Sequence, residues 1–292
     1  MSTKIFSLKR RVLYFFLGFL LIFVLFVGCQ ADFIARQFLL HPTKLDPHWK
    51  PNVPGCEEVF FETADKFTLH GLYFPYKPTE TAPRGGVILF SHGNGGTVAD
   101  WGNIGILLRE KLDASVFVYD YRGYGKSEGT STASSILADG RAARKWLAQR
   151  ESVAESEIIQ MGRSLGGAVA IDLAAKDGAK AVIVESTFTS LPDMAGQLVP
   201  GVPSRYLLRE QLRSEKKIEK YDGPLFLSHG TADTLIPFEQ GKRLYEAASS
   251  EKKVLYPVQG GDHNTFPPAE YYDKLREFLG TINSQSAADT PR

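Results

Sequence analysis

The chain has 292 residues, of which 43% are hydrophobic and 12% aromatic, and it contains 27 glycines and 16 prolines. This composition is typical of a globular protein and excludes the disordered and fibrous classes, and the length suits one large domain. Because 34 lysines and arginines balance 33 aspartates and glutamates, no basic surface indicates a nucleic-acid partner. Two cysteines, Cys29 and Cys56, are too few for a disulfide framework or a four-cysteine zinc site.

A membrane-targeting segment is predicted at the N-terminus. Basic residues within positions 4–11 precede an uncharged, apolar run over residues 12–28. A helix of that length reaches roughly 25 Å, close to the lower limit for crossing a bilayer, so residues 1–29 fit a signal peptide or an uncleaved anchor. The basic cluster favours an N-terminus that stays in the cytoplasm. We therefore expect an extracytoplasmic catalytic domain, in a bacterial envelope or periplasm.

Cys29 leaves two forms of membrane attachment open. The stretch "LFVGCQ" resembles the lipobox of bacterial lipoproteins, in which a small residue precedes a cysteine that is lipidated after cleavage. Phe26 stands where that family usually has leucine. The alternative is a cysteine within a transmembrane helix. Acyl chains on Cys29 would hold the domain at the membrane as an uncleaved helix does, so both forms predict a tethered protein.

The rest of the chain alternates between strand and helix patterns. After a connector at residues 30–56, residues 57–76 predict two antiparallel strands around a turn. Short, nearly continuous apolar runs, typical of strands covered on both faces, follow at residues 85–93, 114–123, 157–164, 179–187, 223–230 and 252–260. Helical patterns lie between most of them. Parallel strands need such crossovers, so residues 57–283 predict an α/β fold with a doubly wound, mostly parallel sheet and an antiparallel start, before a polar tail at 284–292.

One interval is too long for a simple crossover. Residues 187–222 exceed the dozen or so residues that a crossover requires, so we expect a small lid there. Its apolar side chains would suit an acyl chain, or they pack on the body of the domain. These side chains are Leu191, Met194, Leu198, Val199, Leu207 and Leu208.

The sequence "GRSLG" places Ser164 between an apolar strand and an alanine-rich helix. This strand, turn and helix setting is the one in which a nucleophile elbow is built. Gly162 and Gly166 leave room at the sharp turn, where Ser164 would adopt a strained conformation with its hydroxyl exposed. A serine hydroxyl is a poor nucleophile near neutral pH, so it needs a base, and the base needs an orienting group.

Candidates for both partners follow later strands. Asp233 ends "PLFLSHGTAD" and His263 lies in "VQGGDHNTF", which gives the order Ser, Asp, His of one catalytic triad arrangement. His263 would act as general base and then as general acid, while Asp233 fixes its tautomer. Glu185 also follows a strand and is the alternative acid. His92 and His229 are expected to pack and hydrogen-bond beneath the site.

Donors for a developing oxyanion are predicted in two places. The glycine-rich turn "HGNGG" follows a strand, and the N–H of Asn94 can pair with that of Leu165, the residue after the nucleophile. The same turn lacks the ending and the spacing of a phosphate-binding loop. The remaining histidines, His41, His48 and His70, precede the predicted parallel strands and have no partner pattern.

Together these motifs resemble the α/β-hydrolase superfamily and, within it, the Bem46-like branch. The resemblance covers roughly residues 57–280 and depends on "SHGNGG", "DYRGYGKSEG", "GRSLGG", "ESTFTSLPDMA", "HGTADTLIPFEQGKRLYEAA" and "GGDHNTF" in this order. It implies the same triad, Ser164, Asp233 and His263, with Asn94 in the oxyanion hole. Members resembling this branch are often membrane-associated serine hydrolases of esters or thioesters. Eukaryotic relatives that remove palmitoyl groups have an N-terminal cysteine cluster that this chain lacks.

The expected function is that of a membrane-tethered serine hydrolase acting on a carboxylic ester or thioester. We expect a small-molecule or lipid-like acyl ester as substrate, a monomeric catalytic domain, and no metal or organic cofactor. Two alternatives stay open: a peptidase or amidase with the same triad, and a catalytically inactive hydrolase-fold protein that serves in binding.

Overall fold

The structure, a computed structural model, describes residues 14–19, 22, 40–77, 85–198, 208 and 211–288. The predicted signal or anchor, residues 1–29, lies outside the described residues except for 14–19 and 22, which are helical. Within the described stretches, no helix has both the length and the apolar character needed to cross a bilayer. The form of the N-terminal segment therefore stays a prediction.

A single sheet of eight strands organises the described residues. The strands are β1 Glu57–Glu62, β2 Thr68–Phe74, β3 Gly86–Ser91, β4 Ala114–Tyr119, β5 Ile159–Arg163, β6 Val182–Glu185, β7 Leu225–Gly230 and β8 Lys253–Val258. Their order is β1-β2-β4-β3-β5-β6-β7-β8. Strand β2 pairs antiparallel with β1 and β4, whereas the other neighbouring pairs are parallel. The predicted α/β fold, with a mostly parallel sheet and an antiparallel start, is confirmed.

Helices cover both faces of this sheet. From residue 98 onwards, the α-helices in the described ranges are α1 Val98–Leu112, α2 Ala133–Glu151, α3 Leu165–Asp177, α4 Leu191–Leu198, α5 Ser214–Ile218, α6 Phe238–Ala247 and α7 Ala269–Ala288. Successive side chains of a strand point to opposite faces. Accordingly, Ile88 of β3 packs with Leu108 of α1 and Leu275 of α7, while the next residue, Leu89, packs with Val169 of α3. This two-sided covering explains why the central strands are continuous apolar runs.

The structure adds detail at both ends of the predicted domain. Part of the predicted connector lies beside the loop that follows β4, where Lys44 forms an isolated parallel bridge with Gly125. At the other end, α7 continues to Ala288 and so includes the first residues of the predicted polar tail, 284–292. The physical reason is that Pro291 is the first helix-breaking residue after Gly280.

The predicted lid interval includes α4 and α5. Leu191, Met194 and Leu208 are buried in the same apolar cluster as residues of α2 and α3. These three side chains therefore pack on the body of the domain, which is the second of the two expected roles. The side chains of Leu198, Val199 and Leu207 lie outside the described residues.

Candidate active site

Ser164 occupies the turn between β5 and α3. Its backbone dihedrals are φ 54° and ψ −115°, a combination that residues with a Cβ rarely adopt. Hydrogen bonds hold the peptide groups on both sides. The Ser164 N–H donates to the carbonyl of Glu185 at 2.9 Å, and the Ser164 carbonyl accepts from the Thr187 hydroxyl at 2.7 Å and from the Gly167 N–H at 3.1 Å. The surrounding structure thus fixes the strained conformation predicted for a nucleophile elbow.

Two glycines make this turn possible. A Cβ on Gly162 would lie 2.1 Å from the carbonyl oxygen of Gly166. A Cβ on Gly166 would lie 1.8 Å from the carbonyl oxygen of Ser91, at the end of β3. Because both positions meet backbone atoms, which cannot move aside as a flexible side chain can, the glycines are required by close packing around Ser164.

Asp233 and His263 are in direct contact. Asp233 follows β7 and His263 follows β8, and these strands are neighbours. Nδ1 of His263 lies 2.8 Å from Oδ2 of Asp233. An ionised carboxylate can only accept, so Nδ1 carries the proton and Nε2 is left as the basic nitrogen. The other carboxylate oxygen, Oδ1, accepts the N–H groups of Leu235 at 3.0 Å and Ile236 at 2.8 Å.

The environment of Asp233 keeps it ionised. Burial by itself raises the pKa of this carboxyl. Hydrogen bonds from His229, His263 and the Ile236 N–H lower the pKa by more than burial raises it, so the pKa falls well below its usual range. Nε2 of His229 lies 3.4 Å from Oδ2 of Asp233 and 2.7 Å from the carbonyl oxygen of Ile236. His229 therefore lies buried beneath the site, where the sequence places it.

Arg163 links the nucleophile turn to the loop of His263. Its guanidinium donates to the carbonyl of His263 at 2.5 Å and to that of Thr265 at 3.1 Å. Arg163 is buried and immediately precedes Ser164, so the end of β5 is tied to the segment that carries the predicted base. The structure thereby brings the three predicted triad residues to one region at the carboxyl edge of the sheet. Their catalytic roles stay predictions.

Glu185, the alternative acid, has other partners. Its carboxylate accepts from the Tyr271 hydroxyl at 2.5 Å and lies 3.9 Å from the Arg163 guanidinium. Burial raises the pKa of Glu185, and the charge of Arg163 and the hydrogen bond from Tyr271 offset only part of this effect. Among the described residues, Asp233 is the carboxylate that contacts His263, so the geometry favours Asp233 as the orienting acid.

The two predicted oxyanion donors also lie close to Ser164. A Cβ on Gly93 would lie 3.7 Å from Cβ of Ser164, so the loop that carries Asn94 passes beside the nucleophile. Leu165 is the first residue of α3, where N–H groups lack partners within the helix. In the part of the chain that the structure describes, neither the Asn94 N–H nor the Leu165 N–H donates to a protein acceptor. Both remain available for an oxyanion.

Sequence reasoning missed contacts made through backbone atoms. The Arg163 guanidinium donates to two backbone carbonyl groups, and the Asn94 side chain accepts a hydrogen bond from the backbone N–H of His41. A carbonyl or an N–H is present at almost every residue, so no residue pattern indicates such a contact. Across the described residues, no group of three or more histidine, cysteine, aspartate or glutamate side chains is arranged to hold a metal ion.

Comparisons with known proteins agree with this architecture. A family model described as alpha/beta hydrolase fold matches residues 86–211. The YfhR protein of Escherichia coli K12 is 32% identical over 279 residues, which cover 91% of this chain and 96% of the relative. The bem46 protein of Schizosaccharomyces pombe is 29% identical over 263 residues, which cover 84% of this chain and 85% of the relative.

A solved structure shares the fold at lower sequence identity. An esterase of Pyrococcus furiosus superposes with a TM-score of 0.66 at 20% identity, covering 84% of this chain and 98% of the esterase. The sheet, the turn at Ser164 and the relatives that match nearly the whole chain lead to one conclusion. The chain belongs to the α/β-hydrolase superfamily and, within it, to the Bem46-like branch.

Proposed function

We propose that this protein is a membrane-tethered serine hydrolase that cleaves a carboxylic ester or thioester through an acyl-enzyme on Ser164. The observation that carries the proposal is the hydrogen bond of 2.8 Å between His263 and Asp233, in a fold that also holds Ser164 in a strained turn. A base oriented by a buried carboxylate and a serine on a nucleophile elbow are the two parts that acyl transfer needs.

In the proposed reaction, Nε2 of His263 takes the proton of the Ser164 hydroxyl as Oγ attacks the carbonyl carbon. The N–H groups of Asn94 and Leu165 stabilise the negative charge on the carbonyl oxygen. The tetrahedral intermediate collapses, and His263 returns the proton to the leaving alcohol or thiol. Water then attacks the acyl-enzyme with His263 as base, which releases the acid and restores Ser164.

Asp233 contributes to this reaction in two ways. Its hydrogen bond with Nδ1 of His263 keeps the proton on that nitrogen, so that Nε2 of the same ring is free to act as base. Its negative charge stabilises the imidazolium that forms when His263 accepts the serine proton. The lowered pKa of Asp233 means that the carboxylate is ionised at neutral pH, as this role requires.

The reactivity of Ser164 is tested with a fluorophosphonate probe, which labels activated serines covalently. We expect the wild type to be labelled, Ser164→Ala to lose the label, and Ser134→Ala, a control on the exposed side of α2, to retain it. An unlabelled wild type, or Ser164→Ala labelled as strongly as the wild type, would refute the proposal and favour a catalytically inactive binding protein.

The substrate class is tested on the wild-type enzyme that has not been treated with the probe. We propose an acyl ester with a small or lipid-like acyl group, and we expect p-nitrophenyl esters and thioesters of graded chain length to be turned over. Faster turnover of aminoacyl anilides than of every ester would instead identify a peptidase or amidase.

Membrane attachment through residues 1–29, with an extracytoplasmic catalytic domain, is part of the same proposal. Its support is the basic cluster, the apolar run and Cys29. Intact-mass measurement on protein extracted from membranes separates the two forms, because an unmodified chain that contains Met1 would contradict the lipoprotein form. Recovery of the full-length protein in the soluble fraction would contradict both.

A further inference from the structure

The segment just before the catalytic domain is hydrogen-bonded to the loop that follows β4. Lys44 and Gly125 form a parallel bridge, the Gly125 N–H donates to the carbonyl of Thr43 at 2.8 Å, and the Leu45 N–H donates to the carbonyl of Gly125 at 3.2 Å. The chain from residue 43 to residue 45 therefore runs as a short strand beside the loop that follows β4. This arrangement fixes the position of the residues immediately before it.

One of those residues contacts the oxyanion loop, residues 93–96, which carries the predicted oxyanion donor Asn94. The backbone N–H of His41 donates to Oδ1 of Asn94 at 2.9 Å. The hydroxyl of Tyr124 donates to the same oxygen at 3.0 Å. A carboxamide oxygen has two lone pairs, and both are used here. The orientation of the Asn94 side chain is thus set jointly by the loop after β4 and by the segment that precedes the domain.

The Asn94 loop needs such external support. Asn94 is flanked by Gly93 on one side and by Gly95 and Gly96 on the other, and glycine loses more conformational freedom on folding than any other residue. An oxyanion hole works because its donors are already in place when charge develops on the substrate. Besides the two bonds to Asn94, the indole of Trp101 donates to the carbonyl of Gly95 at 2.9 Å. The bond from His41 is the contribution that comes from outside residues 57–283.

We infer that His41, through its backbone N–H, is a positioning residue for the oxyanion loop, and that residues 41–45 support the active site from outside it. The inference rests on the proposed function, because it assigns the Asn94 N–H to the stabilisation of an oxyanion. The inference adds that the segment leading from the predicted membrane anchor also holds the oxyanion loop in position. His41 acts on the reaction through Asn94 and does not touch the substrate.

The test compares His41→Pro with His41→Ala in the full-length enzyme. Both variants lose the imidazole, but only proline lacks the N–H. Loss of one oxyanion donor typically lowers kcat by about 10²–10³-fold, and here the donor is displaced rather than removed. We expect kcat for a p-nitrophenyl ester to be about tenfold lower in His41→Pro than in His41→Ala, with KM values within about twofold of each other.

A double-mutant cycle separates this effect from a general disturbance of the fold. In the Asn94→Ala background the acceptor oxygen is absent, so His41→Pro and His41→Ala should have the same kcat. A ratio that stays near tenfold in that background would overturn the inference. Asn94→Ala alone provides a test that does not depend on how well the proline variant folds: we expect its kcat to be about tenfold lower, and a wild-type kcat would also overturn the inference.

The outcomes distinguish the inference from the proposed function. If the wild type does not react with the fluorophosphonate probe, the proposed function fails and the inference falls with it. If the wild type reacts and His41→Pro has the same kcat as His41→Ala, the hydrolase assignment stands and the role of His41 is wrong.

Discussion

The strained backbone of Ser164 predicts that removing its Cβ stabilises the protein. At φ 54° and ψ −115° a residue with a Cβ costs of order 1–3 kcal/mol, whereas glycine adopts this conformation readily. Ser164→Ala and Ser164→Gly both lose the hydroxyl, but only Ser164→Gly loses the strain. Since glycine also makes the unfolded chain more flexible, at a cost of about 0.5–1 kcal/mol, the net gain expected for Ser164→Gly over Ser164→Ala is about 1 kcal/mol.

This difference is measured by urea unfolding of the two variants, and neither requires an activity assay. For a domain of this size, 1 kcal/mol corresponds to a shift of about 2–4 °C in the thermal midpoint. Lys145, exposed in the middle of α2, provides the matched control: there Lys145→Gly should be less stable than Lys145→Ala by about 1 kcal/mol. If Ser164→Gly were no more stable than Ser164→Ala, the strain assigned to the nucleophile turn would be wrong.

Two further predictions concern the carboxylates. Asp233→Asn should lower kcat by about 10⁴-fold because Nδ1 of His263 loses its carboxylate acceptor. Glu185→Gln should lower kcat by less than about tenfold. The reverse order of kcat values would identify Glu185, at the end of β6, as the orienting acid. The lowered folded-state pKa of Asp233 means that the unfolded chain binds the proton more readily. The stabilisation is therefore complete at neutral pH and is lost as the pH falls below about 4, the ordinary range of aspartate. Unfolding measured from pH 7 to pH 3 should show a steeper loss of stability in the wild type than in Asp233→Asn, and parallel losses would contradict this linkage.

The mostly parallel sheet with its antiparallel start and the turn that carries Ser164 could be predicted from the sequence because they depend on side-chain patterns. Apolar runs such as residues 85–93 indicate strands covered on both faces, and the alternating helices imply parallel pairing. Ser164, Asp233 and His263 each follow such a run. Because the carboxyl ends of parallel strands meet at one edge of the sheet, their proximity could be expected before any coordinates were known.

Other parts of the site depend on features that residue types do not reveal. The docking of residues 40–45 depends on the N–H groups of His41 and Leu45 and on the carbonyl of Thr43, which almost any residue type can supply at those positions. Apolar residues in the lid interval suit either a ligand or the body of the domain, and only the packing shows that Leu191 and Met194 face the body. The ion pair of Arg163 with Glu185 joins residues whose closeness follows from the register of β5 and β6.

The docked segment also has a consequence for the supply of substrate. From Cys29 to His41 the chain advances by twelve residues, which can extend by at most about 40 Å. Under the proposed attachment, His41, whose N–H contacts Asn94, stays within that distance of the lipid surface. An ester that partitions into the bilayer would then be concentrated near Ser164, so under this attachment we expect turnover of such an ester to rise with its density in the membrane.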